Sequence, residues 1–193
     1  MWIERQPPEL KVMGSSPVSL TRNVEGVSLK MFKIEKTEDA ISNYKLMVQT
    51  AKAFVEGEND LIALLSNLSA LIKAYVEDLN WAGFYLLKGK ELVLGPFQGL
   101  PACTRIAEGK GVCGKAALSG KPVIVKDVSQ FPGHIACDSA SDSELVIPFF
   151  KNGSVYGVLD LDSPLPGRFS SFEAEYLGQV TAVLTAFLDG KFS

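Results

Sequence analysis

LVIPFFKNGSVYGVLDLD, residues 145–162, decides the fold. Two runs rich in β-branched, aromatic and aliphatic residues flank Lys-Asn-Gly-Ser. Asn152-Gly153 is a pair that accepts the left-handed backbone of a tight hairpin turn. The second run ends in alternation, Leu159-Asp160-Leu161-Asp162, so one face of that strand is apolar and the other carries two carboxylates. Upstream, GFYLL (83–87) and ELVLGPF (91–97), joined through Lys-Gly-Lys, predict another hairpin, and VIVKD (123–127) a further strand. Hairpins make an antiparallel sheet, and such a sheet needs helices over a face.

The ends of the chain supply those helices. Thr37 with Glu38 and Asp39 reads as a helix start, and Ile41, Tyr44, Val48, Ala51 and Val55 follow at helical spacing until Gly57. A second helix opens at Asn59-Asp60, with Leu61, Leu64, Leu65, Leu68, Leu71, Ile72, Tyr75 and Val76 on a broad apolar face. Ser170-Ser171-Phe172-Glu173 is a capping box for a last helix whose Tyr176, Val180, Val183, Leu184 and Phe187 face inward. The expectation is an α+β single domain over 37–193, its central antiparallel sheet flanked by N-terminal and C-terminal helices. Residues 1–36 carry Pro7, Pro8, Gly14 and Pro17 without a steady period, and read as a disordered tail. Met31 offers an internal start, with the stretch before it an upstream or vector-encoded addition.

The bulk numbers narrow the function. The 193 residues are 47% hydrophobic and 21% charged with a net charge of −3, ordinary for a globular core. There is no basic stripe to hold nucleic acid and no apolar run of the roughly 20 residues a membrane span needs. The start lacks the apolar core and cleavage site of a secretory signal, and three cysteines form an odd set that suits a reducing compartment. A cytoplasmic location is expected.

Chemistry concentrates in FPGHIACDSASDSE, residues 131–144, which holds the single histidine, His134, beside Cys137, Asp138, Asp142 and Glu144. His134 and Cys137 have the spacing of two zinc ligands, but no Cys-x-x-Cys pair exists to complete a structural site, so no metal is expected. The plainer role for His134 is a bond to a backbone carbonyl that shapes the turn. GKGVCG (109–114) matches G-x-G-x-x-G, and Asp127 lies about where a ribose-binding acid would. A dinucleotide site needs a buried strand before the motif and a long helix after it. TRIAE before it has one good strand former, and Gly120-Lys121-Pro122 cuts the helix short. A tight turn into a short helix with free amides fits better.

Thiol chemistry is the remaining candidate. Carboxylates beside Cys137 work against a thiolate, so their use lies with a cationic substrate or with a proton to be donated. Reduction of a sulfoxide by cysteine needs both a thiol and a proton for the departing oxygen. It leaves a sulfenic acid that a second thiol converts to a disulfide. Residue types alone also allow three unrelated thiols. Asp160 and Asp162 share a face, which is costly if buried unless a cation binds there; an edge strand with its acids in water is the alternative.

Five stretches, NWAGFYL (80–86), LGPFQGLPAC (94–103), GKGVCGKA (109–116), FPGHIACDSASDSE (131–144) and GVLDLDSP (157–164), together resemble the free methionine-(R)-sulfoxide reductases, a branch of the GAF-domain fold. The likeness runs from about residue 40 to residue 188. It implies Cys137 as the nucleophile, Cys103 as the resolving thiol and Cys113 as an auxiliary one. It implies Glu144, Asp160 and Asp162 as substrate acids, with Glu144 also catalytic, and Trp81 and Tyr85 as an aromatic wall, where core packing is the plainer reading. It further implies thioredoxin as reductant, no cofactor, and a possible homodimer through the first two helices. Many GAF domains are instead non-catalytic small-ligand sensors, which would have no need of three cysteines in these motifs.

Overall fold

The computed structural model describes residues 19–24, 27–32, 34–135 and 140–191. The chain divides into two compact units, Met1–Glu35 and Lys36–Ser193. Within the first, β1 (Ser19–Val24) pairs antiparallel with β2 (Val27–Phe32). This hairpin stands inside the segment expected to be a tail. Its two six-residue strands are joined across Glu25-Gly26, a period too short to stand out beside the prolines and glycines before it.

The second unit starts with α1 (Ala40–Phe54) and α2 (Leu61–Tyr75). Asp39, not Thr37, caps α1, accepting from the Ser42 amide at 2.8 Å. Thr37 is drawn out of the cap by Asn43, whose Oδ1 accepts from the Thr37 amide at 2.7 Å. Asp60 caps α2 as its sequence predicts. Ile41, placed inward by spacing, is 45% exposed, because the buried stripe of α1 begins only at Tyr44.

The sheet follows: β3 (Trp81–Lys88), β4 (Glu91–Gln98), β5 (Arg105–Ala107), β6 (Val123–Val125), β7 (Ser143–Lys151) and β8 (Ser154–Ser163), in the order β5-β4-β3-β8-β7-β6 with every pair antiparallel. Between β5 and β6 runs α3 (Gly111–Ser119), and α4 (Ser171–Leu188) closes the unit behind the Ser170/Glu173 capping box. Asn152 (φ +49°) and Gly153 (φ +78°) form the β7–β8 turn in the left-handed region, as that pair requires. In β4 the ladder shifts where Gly95-Pro96 stand opposite Phe84, a bulge that tolerates a residue with no amide to donate.

Two cores lie on opposite faces of the sheet. Phe84, Leu145, Ile147, Leu159 and Leu161 point to the face covered by α2 and α4, with α1 packed against both helices, and Leu64, Leu65, Leu68 and Ile72 of α2 are buried there. Each such side chain contributes about 1.5–3 kcal/mol by leaving water. Trp81, Tyr85, Val146 and Val158 point the other way, toward the shorter α3. A nine-residue helix cannot cover that face, and the polar side chains gather where its cover ends. Among the described residues no helix is long and apolar enough to cross a membrane.

A candidate active site on the α3 face of the sheet

Three central strands aim the acids at one place. Trp81 of β3 lies opposite Asp162 of β8, and Asp162 lies opposite Glu144 of β7. Cross-strand partners share a face, so Glu144 and Asp162 project together. Asp160, two residues along β8, joins them with Gly83 and Val146 as its neighbours. Gly83 has no room for a side chain: a Cβ there would come within 2.3 Å of the Phe97 Cβ and 2.7 Å of the Trp81 ring. Its absence lets Trp81 stack on Phe97 with ring centres 5.2 Å apart.

From α3, Cys113 reaches down to the acids. Its Sγ is 3.8 Å from Glu144 Oε1. On the far side of the carboxylate, His134 Nε2 lies 3.5 Å from Glu144 Oε2. His134 therefore belongs to the site. Its ring meets the carboxylate instead of a backbone carbonyl, while its own amide donates to the Phe131 carbonyl at 3.1 Å. The turn that carries it is pinned by Lys115 of α3, which donates to the Pro132 carbonyl at 2.9 Å and lies 4.1 Å over the Phe131 ring. Gly111, Val112, Cys113, His134, Ile135, Ser141, Glu144, Asp160 and Asp162 line a cavity of about 20 Å³, room for one water.

Burial governs the titration of this cluster. Glu144 and Asp160 are each 6% exposed. Removal from water pushes the Asp160 carboxyl well above its ordinary value, and the neighbouring Glu144 charge adds to that. Glu144 is also raised by burial, with Asp162 adding and the His134 contact pulling back. Cys113 is raised furthest from thiolate chemistry: burial, then the Asp160 and Glu144 charges, keep it a thiol. Burial and the mutual repulsion of the two carboxylates thus both favour a carboxyl that keeps its proton.

Trp81 and Tyr85 stand on the same face without lining the cavity. Trp81 Nε1 donates to the Leu100 carbonyl at 3.1 Å, and Tyr85 Oη donates to the Cys103 carbonyl at 3.0 Å. Both rings thus brace the 99–103 segment against the sheet. Cys103 in that segment is disulfide-bonded, whereas Cys113 is a free thiol. Cys137 lies outside the described residues, and Asp138 with it. The dinucleotide alternative fails on topology. GKGVCG follows a three-residue strand in an antiparallel ladder, and α3 ends after nine residues at Gly120. The parts the sequence did not assign to the site are His134, whose ring is expected on a backbone carbonyl, together with Ser141, Gly111 and Val112, a loop serine and two residues of a glycine motif.

Residues 65–189 match the model of the GAF domain. The chain is 48% identical over 157 residues to protein YtsP of Bacillus subtilis, covering 80% of this chain and 96% of that one. It is 48% identical over 136 residues to the free methionine-R-sulfoxide reductase of Escherichia coli, covering 70% of this chain and 82% of that one. Among solved structures, the free methionine-R-sulfoxide reductase of Neisseria meningitidis in complex with its substrate superposes with a TM-score of 0.77 at 40% identity, over 82% of this chain and 96% of that one.

Proposed function

Because this chain belongs to the GAF-domain family, and within it to the free methionine-R-sulfoxide reductases, we propose that it reduces the R epimer of free methionine sulfoxide by thiol chemistry. The observation that carries the reading is the convergence of Glu144, Asp160 and Asp162 from adjacent strands on one cavity, two of them buried. Buried acids in that number are costly unless a cation and a proton transfer use them. The substrate's ammonium supplies the cation. Its carboxylate suits the amino end of α3, where the first amides of a helix have no partner within it.

In the reaction, the Cys137 sulfur attacks the sulfoxide sulfur while a protonated carboxyl, Glu144 or Asp160, gives its proton to the sulfoxide oxygen and the Cys137 thiol proton passes to the carboxylate left behind. The S–O bond breaks, methionine leaves, and the oxygen ends on Cys137 as sulfenic acid. The substrate sulfur gains two electrons and the cysteine sulfur loses them. Cys103 then displaces water from the sulfenic acid to form a disulfide, which an external dithiol, thioredoxin by family likeness, reduces in a reducing cytoplasm. The disulfide state of Cys103 beside a free Cys113 supports this pairing, since Cys137 is the third cysteine of the chain. Methionine sulfoxide is larger than the described cavity, so side chains at its mouth, Ile135 among them, must move to admit it.

The test supplies dithiothreitol and racemic methionine sulfoxide and measures free methionine. The expected result is consumption of the R epimer with the S epimer left. Tight binding with no methionine released would identify a sensor and overturn the proposal.

A further inference from the structure

We infer that Cys113, Glu144 and Asp160 form a binding site for one soft or borderline divalent cation of the Zn2+ class. The Cys113 sulfur and one carboxylate oxygen each from Glu144 and Asp160 lie within 4.8 Å of one another, and all three residues are buried. A tetrahedral zinc with one sulfur and two oxygen ligands sets its S···O separations at roughly 3.5 Å. Cys113 Sγ and Glu144 Oε1 already stand 3.8 Å apart. The independent sign of a missing ligand is Asp160. It is only 6% exposed, lines the cavity, and its Oδ1 has no hydrogen-bond partner among the described residues. A buried carboxylate oxygen left bare is a standing cost that a cation removes.

The surroundings complete the arrangement. His134, 3.5 Å from the other oxygen of Glu144, is the outer partner that fixes a ligating carboxylate. The adjoining cavity of about 20 Å³ accepts the single water that would be the fourth ligand. One thiolate with two carboxylates selects zinc or cobalt over the oxygen-loving calcium and magnesium. Binding releases to solvent the Cys113 thiol proton and the carboxyl proton that burial holds on the Glu144/Asp160 pair, forms one M–S and two M–O bonds, and changes no oxidation state. The two other thiols are not needed, so the site exists while Cys103 is disulfide-bonded. A cation here would occupy the carboxylates that the substrate is proposed to use, and only that consequence rests on the proposed reaction.

The experiment titrates Co2+ and Zn2+ into the full-length protein in its disulfide form without substrate. Co2+ should bind at one equivalent with a thiolate-to-cobalt absorption band in the near ultraviolet, and Zn2+ should abolish that band. Cys113→Ser should lose the band. Glu144→Gln and Asp160→Asn, each close in shape to the original, should weaken binding more than tenfold. His134→Ala should keep the band and weaken affinity about 10- to 100-fold. No band in the unaltered protein, a band persisting in Cys113→Ser, or unchanged affinity in both carboxamide variants would each overturn the site. None of these readouts depends on reductase activity, so failure here leaves the proposed reaction standing, and the reverse holds as well.

Discussion

Replacing Asp160 by Asn should make the protein more stable and less active. Asp160 faces Glu144 from β7, Asp162 from its own strand and Cys113 from α3, and His134 reaches Glu144 beyond them. Its folded-state pKa is raised well above the ordinary 3.8, first by burial and then by Glu144. The folded protein therefore holds a proton that the unfolded chain has already released. Stability is then full below the unfolded value and falls as pH rises from it toward the folded one. The asparagine of the Asp160→Asn variant carries no charge, and its amide can donate to Glu144. Relieving a buried unsatisfied polar group is worth about 1–3 kcal/mol. For a domain of this size that corresponds to a rise in Tm of about 2–12 °C. Thermal unfolding of both proteins from pH 4 to pH 8 measures it, with the gap widest at the alkaline end and closing toward pH 4. A variant that melts below the parent at pH 7.5, or a gap that does not close on acidification, would refute the electrostatic account.

Cys137→Ser should abolish even the single methionine released without recycling, and full single-turnover release would move the nucleophile elsewhere. Peptide mapping after oxidation by substrate should find Cys103 joined to Cys137; a Cys113–Cys137 peptide with Cys103 free would reverse the resolving assignment. N-acetyl methionine sulfoxide lacks the ammonium, and losing a charge-assisted hydrogen bond of about 1.5–3 kcal/mol should lower kcat/KM about 10- to 150-fold; equal values would remove the acids from substrate recognition. Gly83→Ala drives a methyl into Phe97 and Trp81, so it should destabilise by about 1–3 kcal/mol in denaturant unfolding, and an unchanged midpoint would mean that the strands part at little cost.

Local chemistry made most of this fold legible. Asn152-Gly153, the capping box at Ser170 and the leucine stripe of α2 each encode their element within a few residues, and the LDLD alternation assigns both aspartates to one face. What depends on distant partners was hidden. Nothing near His134 says that its ring meets a carboxylate ten residues on; that contact exists because β7 carries Glu144 past the turn that Lys115 pins. Glu144 itself belongs to β7, which starts at Ser143 and not at Leu145 where the apolar run begins, because its backbone pairs with both Val125 and Asp162. Trp81 and Tyr85 are buried, as core packing reads them, and what spacing could not foretell is that their polar tips meet the carbonyls of Leu100 and Cys103. β5 is three residues long, too short for a period to register.

The alternation in β8 also guards the assembly of the molecule. Leu159 and Leu161 enter the helix-side core while Asp160 and Asp162 enter the site. A slip of one residue against β3 or β7 would exchange these sets, driving two carboxylates into hydrocarbon and two leucines toward the cavity. The misaligned sheet is thereby penalised many times over, and the same side chains that serve chemistry act as a proofreading device during folding. Over generations the constraint is arithmetic: substitutions along this hairpin can be absorbed one at a time, but a single inserted or deleted residue within β8 reverses the sense of every position after it.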